Sequence, residues 1–314
     1  MSLVRLFAQR IALGFVAAWA VLTAVFGLFT LTDDWVLEGE LALMQFGGAD
    51  EEVLERAREA YLAERGLDRP LGELYVDWMI DMLTLDWGVS FVHGEPVLPL
   101  VMDATIRTAM YVVPAIVVAL GFGICIGLYA AVHPDSWLAN SNITFAYVLF
   151  AIPNFWVGGV LVGYAAADVI GYSNLLFDHV LPIALAASTL LGGYVSYARA
   201  HSLEYSSAEF VTLVKAKGAS RIRVAKHVVR NAAIPLFSML FTEALALLVL
   251  AVFVIEVLFG IDGFGLLLFE SVQERDLPVV LGGTIVIIGA GVIGNIVQDL
   301  SYNILDPRVD TGTR

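Results

Sequence analysis

The sequence of 314 residues has a single cysteine and three lysines, and only 15% of its residues are charged. One cysteine, Cys125, excludes a disulfide framework within the chain and argues against a cysteine-ligated metal site. Soluble domains carry about 25% charged residues, whereas this chain is 59% hydrophobic and has a mean hydropathy of +0.81. The composition therefore predicts an integral membrane protein.

Motifs of several enzyme classes are absent as well. None of the lysines follows a glycine, so the chain lacks the G-x-x-x-x-G-K-[ST] loop that holds ATP phosphates. Neither H-E-x-x-H nor G-x-S-x-G occurs, which argues against a zinc hydrolase and a serine hydrolase. We therefore expect a chain that is not an enzyme and that binds no catalytic metal and no cofactor. Nothing in the sequence suggests nucleic acid as a partner.

Six apolar stretches are long enough to cross a bilayer as helices, which takes about twenty residues each. Helices are expected because lipid offers no partner for backbone polar groups. The stretches cover 11–31, 109–132, 143–166, 180–198, 234–259 and 278–298. Pro114, Pro153 and Pro182 predict bends, and glycines four apart, such as Gly123 and Gly127, predict close helix contacts. The predicted fold is an all-α, multi-pass membrane protein with about six transmembrane helices in contact with lipid.

The net charge of −14 comes mainly from the segment 32–108, which contains seventeen Asp and Glu residues against five Arg. Two interpretations stay open, a cationic partner or adaptation to high salt, and we favour adaptation to high salt. Asp50 and Gly66 are placed to begin and end a helix in this segment. Such a helix would be either simply solvated or in contact with a protein that delivers substrate.

A basic loop interrupts this acidic background. The loop 199–233 carries seven Lys and Arg residues, whereas the short loops 167–179 and 260–277 carry none and one. Basic residues in short loops mark the cytoplasmic side. The loop and both termini are therefore predicted to be cytoplasmic, and the acidic segment is predicted to face outward.

The basic loop has the sequence signals of two short helices. Ser206 and Glu209 have the spacing of a capping box. Gly218 is placed to end the first helix, and Ser220 is placed to cap the next. One face of the first helix is formed by the residues at i, i+3, i+4 and i+7, namely Phe210, Leu213, Val214 and Lys217. An amphipathic helix on anionic lipid is the simpler alternative, although it needs neither the glycine nor the second cap.

The loop resembles the conserved cytoplasmic loop of binding-protein-dependent ABC importer permeases, in the dipeptide, oligopeptide and nickel branch. The residues that carry the resemblance and its flanks are Glu209, Phe210, Thr212, Leu213, Val214, Lys215, Ala216, Lys217 and Gly218, followed by His227, Arg230, Asn231, Ala232 and Pro235. Thr212, Leu213 and Val214 depart from the usual residues of the branch. The resemblance implies that the first group contacts an ATPase and that the second supports the return of the chain to the membrane.

Further matches are spread along the chain. They comprise Gly66 to Leu71, with Tyr75, Trp78, Asp86, Gly88 and Ser90; then Glu256, Phe259, Gly263, Gly265, Arg275, Asp276 and Pro278; and finally Asp306 to Arg308. Asp262 stands where the branch has proline. The resemblance implies a first helix in 1–31, an extracytoplasmic acidic segment in 32–104, a type I ABC transmembrane domain in 105–303 and a cytoplasmic tail in 304–314. Glu256, Gly263, Gly265, Arg275 and Asp276 are assigned to an outer loop.

The resemblance implies half of an ATP-driven importer in the cell membrane. Its partners would be a second homologous permease, two cytoplasmic ABC ATPases that use ATP, and an extracytoplasmic solute-binding protein. The cargo would be di- or oligopeptides, nickel or another small solute. The alternative from another class is an ion- or proton-coupled secondary transporter that uses Glu243, an ionisable residue inside the fifth stretch. Glu243 would line a translocation path or bond to another helix.

Overall fold

The computed structural model describes residues 3–206, 209–220, 223–224 and 252–305. Within these residues the chain is helical, and the one extended pairing is an isolated bridge between Val89 and Pro96. Helices α1 to α5 are Leu3–Leu31, Trp35–Phe46, Glu51–Glu64, Leu71–Thr84 and Val97–Val132. Helices α6 to α9 are Trp137–Ala151, Asn154–Ala166, Leu181–Ser206 and Glu209–Ala216, with a π-helical turn at Leu175–Val180 before α8. Helices α10 to α12 are Val252–Phe259, Phe264–Gln273 and Leu277–Leu305.

Four helical stretches in the described part of the chain are long and apolar enough to cross a membrane, or six if each of two bent pairs forms one span. The four are Ala8–Phe46, which includes most of α1 and all of α2, and Val97–Val132, Leu175–Glu204 and Leu277–Asp299. The bent pairs are α6 with α7, at 76°, and α10 with α11, at 84°. This confirms an all-α multi-pass membrane protein. Most of the predicted stretch 234–259 lies outside the described residues.

Proline explains one of the bends. Ile152 has extended backbone angles, φ −79° and ψ 122°, and Pro153 precedes the first residue of α7. A residue before proline is pushed out of the helical region by the proline ring, so α6 ends there. The stretch 143–166 is thus a broken helix pair, as its proline predicted. Helix α5, in contrast, continues past Pro114.

The chain divides into two compact units. The first comprises Met1–Arg10, Ile106–Gly265 and Ala290–Arg314. Its main core is built from α5, α8 and α10, with Ala115, Ala186 and Ile255 almost fully buried. A Cβ at Gly123 would lie 2.5 Å from the Tyr194 Cβ, and one at Gly127 would lie 2.6 Å from the Ala198 Cβ. The predicted close approach is therefore real at these two glycines, because no larger side chain fits between the helices.

Other spaced glycines do not approach a second helix closely within the described part of the chain. Among these residues, a Cβ added at Gly163, Gly289 or Gly291 would have no atom within 4 Å, and one at Gly159 would lie 3.9 Å from its nearest neighbour. The tight position in α7 is Gly158, where a Cβ would lie 2.5 Å from Leu258 Cδ2. Four-residue spacing marks a face of the helix but does not tell which faces meet another helix.

The second unit comprises Ile11–Thr105 and Leu266–Gly289. Its helices α2 and α3 enclose a small core of Leu37, Leu41 and Tyr61. Asp50 Oδ1 accepts the Val53 N–H at 3.1 Å, and Gly66 adopts φ +63° just after α3. The predicted helix of the acidic segment is thus confirmed at both ends.

Candidate functional site in the basic loop and at two polar corners

Helix α9 occupies the position predicted for the first helix of the basic loop. It begins at Glu209 and is followed by Gly218, whose φ is +76°. Only glycine adopts this left-handed conformation without steric cost, so the chain turns sharply here. Several side chains of the predicted helix lie outside the described residues. They are those of the predicted capping pair, Ser206 and Glu209, and those of Phe210 and Lys215.

The second helix also starts where expected. Ser220 Oγ accepts the N–H of Arg223 at 3.4 Å, and its carbonyl accepts the N–H of Val224 at 3.0 Å. These bonds satisfy N–H groups that lack partners at a helix start. The residues expected to support the return to the membrane, His227, Arg230, Asn231 and Pro235, lie outside the described residues, as does Glu243.

The two sides of α9 differ in burial. Val211 is 1% exposed and lies in a small apolar cluster with Val214, Val224 and Leu128. Leu213, in contrast, is 60% exposed, and Thr212, Ala216 and Lys217 are exposed beside it. Helix α9 is therefore fixed to its own unit by Val211, and Leu213 lies exposed on the other side of the helix.

The burial of Val211 was not predicted from the sequence. The signal was available, because Val211 and Val214 are spaced by three residues and fall on one side of a helix. The family motif drew attention to the residues on either side of it instead.

Glu256, in α10, is the centre of a polar corner in the first unit. Its side chain is fully buried, and Oε1 accepts hydrogen bonds from Tyr111 Oη at 2.9 Å and Thr108 Oγ1 at 2.5 Å. Its Oε2 accepts the N–H of Gly265 at 2.6 Å. Thr108 Oγ1 in turn accepts the N–H of Phe264 at 2.8 Å.

These bonds join α5, α10 and the start of α11. Phe264 and Gly265 are the first two residues of α11, whose N–H groups have no partner within the helix. A carboxylate at a helix N-terminus is also favoured by the helix dipole. Glu256 therefore caps α11, and Gly263 leaves room for it, because a Cβ there would overlap the Glu256 carboxylate.

Arg275 and Asp276 form a second polar corner, in the second unit. Asp276 is fully buried; it accepts hydrogen bonds from Ser90 Oγ at 2.5 Å and from the N–H groups of Phe91 and Val92 at 3.2 and 3.3 Å. Arg275 donates to the backbone carbonyl of Asp33 at 2.9 Å and lies 3.4 Å from Asp34. Buried charges need such partners because desolvation is costly.

The expected single outer loop is thus two separate sets of contacts. Glu256, Gly263 and Gly265 lie in the first unit, whereas Arg275 and Asp276 lie in the second. The contacts of these residues with Thr108, Tyr111, Ser90 and Asp34 were not predicted, although Ser90 is one of the residues that match the family. Each of these partners is far away in sequence, so no local pattern indicates the contact.

Asp34 also connects the second corner to Tyr61. Tyr61 Oη donates to Asp34 Oδ2 at 3.1 Å, and the guanidinium of Arg65 lies 3.6 Å from the centre of the Tyr61 ring. Burial raises the pKa of Tyr61 to about 12, with Arg65 opposing the shift and Asp34 adding to it. The described residues contain no cluster of three or more His, Cys, Asp or Glu that could hold a metal ion.

A family model for the inner membrane component of binding-protein-dependent transport systems matches residues 123–311. The chain belongs to this family. The oligopeptide transport system permease protein AppB of Bacillus subtilis is 29% identical to it over 278 residues, or 83% of this chain and 87% of the relative. A probable peptide ABC transporter permease protein, y4tP of Sinorhizobium fredii, is 27% identical over 274 residues, or 83% of this chain and 86% of the relative.

A third relative has a different cargo in its name. The metal-staphylopine import system permease protein CntB of Staphylococcus aureus is 24% identical over 267 residues, or 84% of each chain. All three relatives are permeases of import or transport systems. The chain is accordingly a membrane permease subunit of an ABC importer. The family match and the relatives favour this function over an ion-coupled secondary transporter.

Proposed function

We propose that this permease subunit forms half of the translocation path of an ATP-driven importer of di- and oligopeptides. The observation that carries the proposal is the family match over 123–311, together with relatives named as oligopeptide and peptide permeases. CntB is the reason to keep a metal chelate as a second candidate cargo.

The proposed partners are a second homologous permease, two cytoplasmic ATPases and an extracytoplasmic solute-binding protein. The family description, an inner membrane component of a binding-protein-dependent system, supports the last of these directly. Partner ATPases are required because the sequence contains no loop for ATP phosphates. The ATP is therefore bound and hydrolysed by other chains.

Helix α9 is the proposed point of contact with an ATPase. A helix that docks in a cleft needs an exposed apolar anchor, a rim of polar residues and a firm attachment to its own chain. Leu213 supplies the anchor at 60% exposure, and the buried Val211 supplies the attachment. Lys217 and Thr212, both exposed, belong to the rim.

Orientation is part of the same proposal. The basic loop and both termini face the cytoplasm, and the acidic segment faces outward, because Lys and Arg in short loops mark the inside. Two matched substitutions at exposed alanines test this, Ala216→Cys in α9 and Ala60→Cys in α3. In a Cys125→Ala background, an impermeant maleimide added to intact cells should label position 60 and spare position 216. The opposite labelling would reverse the orientation.

The transport activity is tested by reconstitution. The permease pair, its ATPases and its binding protein are placed in liposomes, and uptake of radiolabelled L-alanyl-L-alanine is followed with and without ATP. We expect uptake only when ATP and the binding protein are both present. Uptake driven by a proton gradient without ATP would contradict the proposal and return attention to Glu243. ATP-driven uptake of a metal chelate but not of any peptide would favour the second cargo.

A further inference from the structure

The second unit contains an open cleft whose lining includes Arg65, Ser90 and Phe91. Its volume is about 590 Å³, within the range of about 300–1,000 Å³ that is usual for small-molecule sites. The cleft is lined by the end of α3, one face of α4 and the segment that precedes α5. The side chains that matter are Arg65, Arg69, Asp77, Trp78, Asp81 and Phe91.

Arg65 is held in place in this cleft without a negative partner. Its guanidinium carbon lies 3.6 Å from the centre of the Tyr61 ring and 5.6 Å from that of Phe91. Arg65 forms no ion pair with any other described residue. A guanidinium that lies against two aromatic rings and has no acidic partner is well placed to bind a carboxylate.

The other charges of the cleft do not neutralise Arg65. Arg69 Nη1 bonds to Asp77 Oδ2 at 2.7 Å, so these two residues satisfy each other. Asp81 forms no ion pair within the described residues. Burial raises its pKa, and the neighbouring charges of Asp86 and Asp77 add to that rise while Arg69 opposes it. The carboxylate of Asp81 would therefore be stabilised by a cation.

An unpaired cation, Arg65, and an unpaired anion, Asp81, thus line the same cleft, and Glu64 adds an exposed carboxylate to its lining. We propose that the cleft binds a small zwitterion, such as a free amino acid or a short peptide, with the ligand carboxylate on Arg65 and the ligand ammonium group on Asp81. Trp78, whose ring meets that of Phe91 edge to face at 6.3 Å, supplies an aromatic wall for the ammonium group. The site lies in the permease itself and does not depend on the proposed function.

Tryptophan fluorescence provides the measurement, since Trp78 and Trp87 line the cleft. The full-length permease is placed in nanodiscs of phosphatidylglycerol, without binding protein or ATPases, and titrated with four probes. L-alanyl-L-alanine carries both charges, its C-terminal amide only the ammonium group, its N-acetyl form only the carboxylate, and the doubly capped form neither. We expect saturable quenching by the zwitterion, and binding about ten- to a hundredfold weaker for each singly charged probe.

Two variants assign the charges. Arg65→Gln should bind the dipeptide and its amide equally, because the partner of the ligand carboxylate is gone. Asp81→Asn should bind the dipeptide and its N-acetyl form equally. Arg58→Gln and Asp68→Asn, exposed charges outside the cleft lining in the same unit, are the matched controls and should bind like the wild type.

Three outcomes would overturn the proposal. The first is equal binding of all four probes by the wild-type protein, which decides the matter even if a variant fails to fold. The second is an Arg65→Gln protein, helical by circular dichroism, that still prefers the free carboxylate. The third is quenching by phosphatidylethanolamine but not by the dipeptide, which would make the zwitterion a lipid headgroup and not a solute.

Discussion

Two regions of the first unit show opposite patterns of burial. At the Glu256 corner a carboxylate is fully buried and bonded to Thr108, Tyr111 and Gly265. On α9 an apolar residue, Leu213, is 60% exposed in the most basic loop of the chain. The first pattern stabilises the chain internally, since a buried charge must be satisfied. The exposed leucine contributes little to the stability of the permease until a partner surface covers it.

The difference separates two kinds of effect that a substitution can have. Changes at the polar corner should lower the stability of the permease whether or not partners are present. Changes on the exposed side of α9 should leave the stability of the permease unchanged and alter only its association with a partner.

The largest effect is expected for Glu256→Ala. Two buried donors, Tyr111 and Gly265, and the half-buried Thr108 would lose their acceptor. Each unsatisfied group costs about 1–3 kcal/mol, so the loss should be about 3 kcal/mol or more. Glu256→Gln keeps one acceptor oxygen and should lose less. Thermal unfolding in detergent measures both variants. An unfolding temperature of Glu256→Ala equal to that of the wild type would mean that the corner does not hold α11 in place.

Gly263→Ala should have the next largest effect. Its Cβ would overlap the Glu256 side chain, a carboxylate that three hydrogen bonds hold in position, so a loss of about 1–3 kcal/mol is expected. Gly159→Ala is the matched control, because its Cβ would meet nothing closer than 3.9 Å and alanine is the better helix former. The same unfolding assay should find the control as stable as the wild type or slightly more so. Equal losses for both variants would contradict the argument.

Gly218→Val is expected to cost about 1–2 kcal/mol, since a β-branched residue is strained at φ +76°. The strain is confined to the turn after α9, so proteolysis of this loop should respond more than global unfolding. Gly218→Asn, which tolerates the left-handed region better, should be cut more slowly than Gly218→Val. Equal cleavage rates of the two variants would argue against strain at this turn.

Tyr61 should produce a smaller effect that depends on pH. Its pKa is raised from 10.0 to about 12, so the protonated form is favoured by folding. The stability it contributes is fully present below pH 10 and is lost as the pH rises towards 12. Tyr61→Phe should lose only about 0.5–1.5 kcal/mol at pH 8, from the bond to Asp34, and should show a flatter decline above pH 10. Unfolding measured from pH 8 to 12 tests this, and parallel curves for the two proteins would show that Tyr61 does not titrate as described.

The sequence predicted much of this architecture because its signals are local. Apolar length predicted the spans, Pro153 predicted a bend, and Asp50 and Gly218 predicted the ends of short helices. The division between Val211 and Leu213 was not predicted, since it depends on Leu128 in a distant helix. The same holds for the polar corners, where Glu256 meets Thr108 and Asp276 meets Ser90 only after folding. Residues far apart in sequence leave no trace in local spacing.

The central claim is that the exposed side of α9, around Leu213, binds the ATPases. The direct test compares Leu213→Asp with Leu83→Asp, the same change at an exposed leucine of α4. The permease is purified from membranes with its ATPases, and their ratio, the unfolding temperature and substrate-stimulated ATP turnover are measured. We expect the Leu213→Asp protein to lose the ATPases, or to show a stimulated ATP turnover at least tenfold lower than that of the wild type, at an unchanged unfolding temperature. The Leu83→Asp protein should retain the ATPases and the stimulated turnover. Full association and full stimulation in a folded Leu213→Asp protein would contradict the claim.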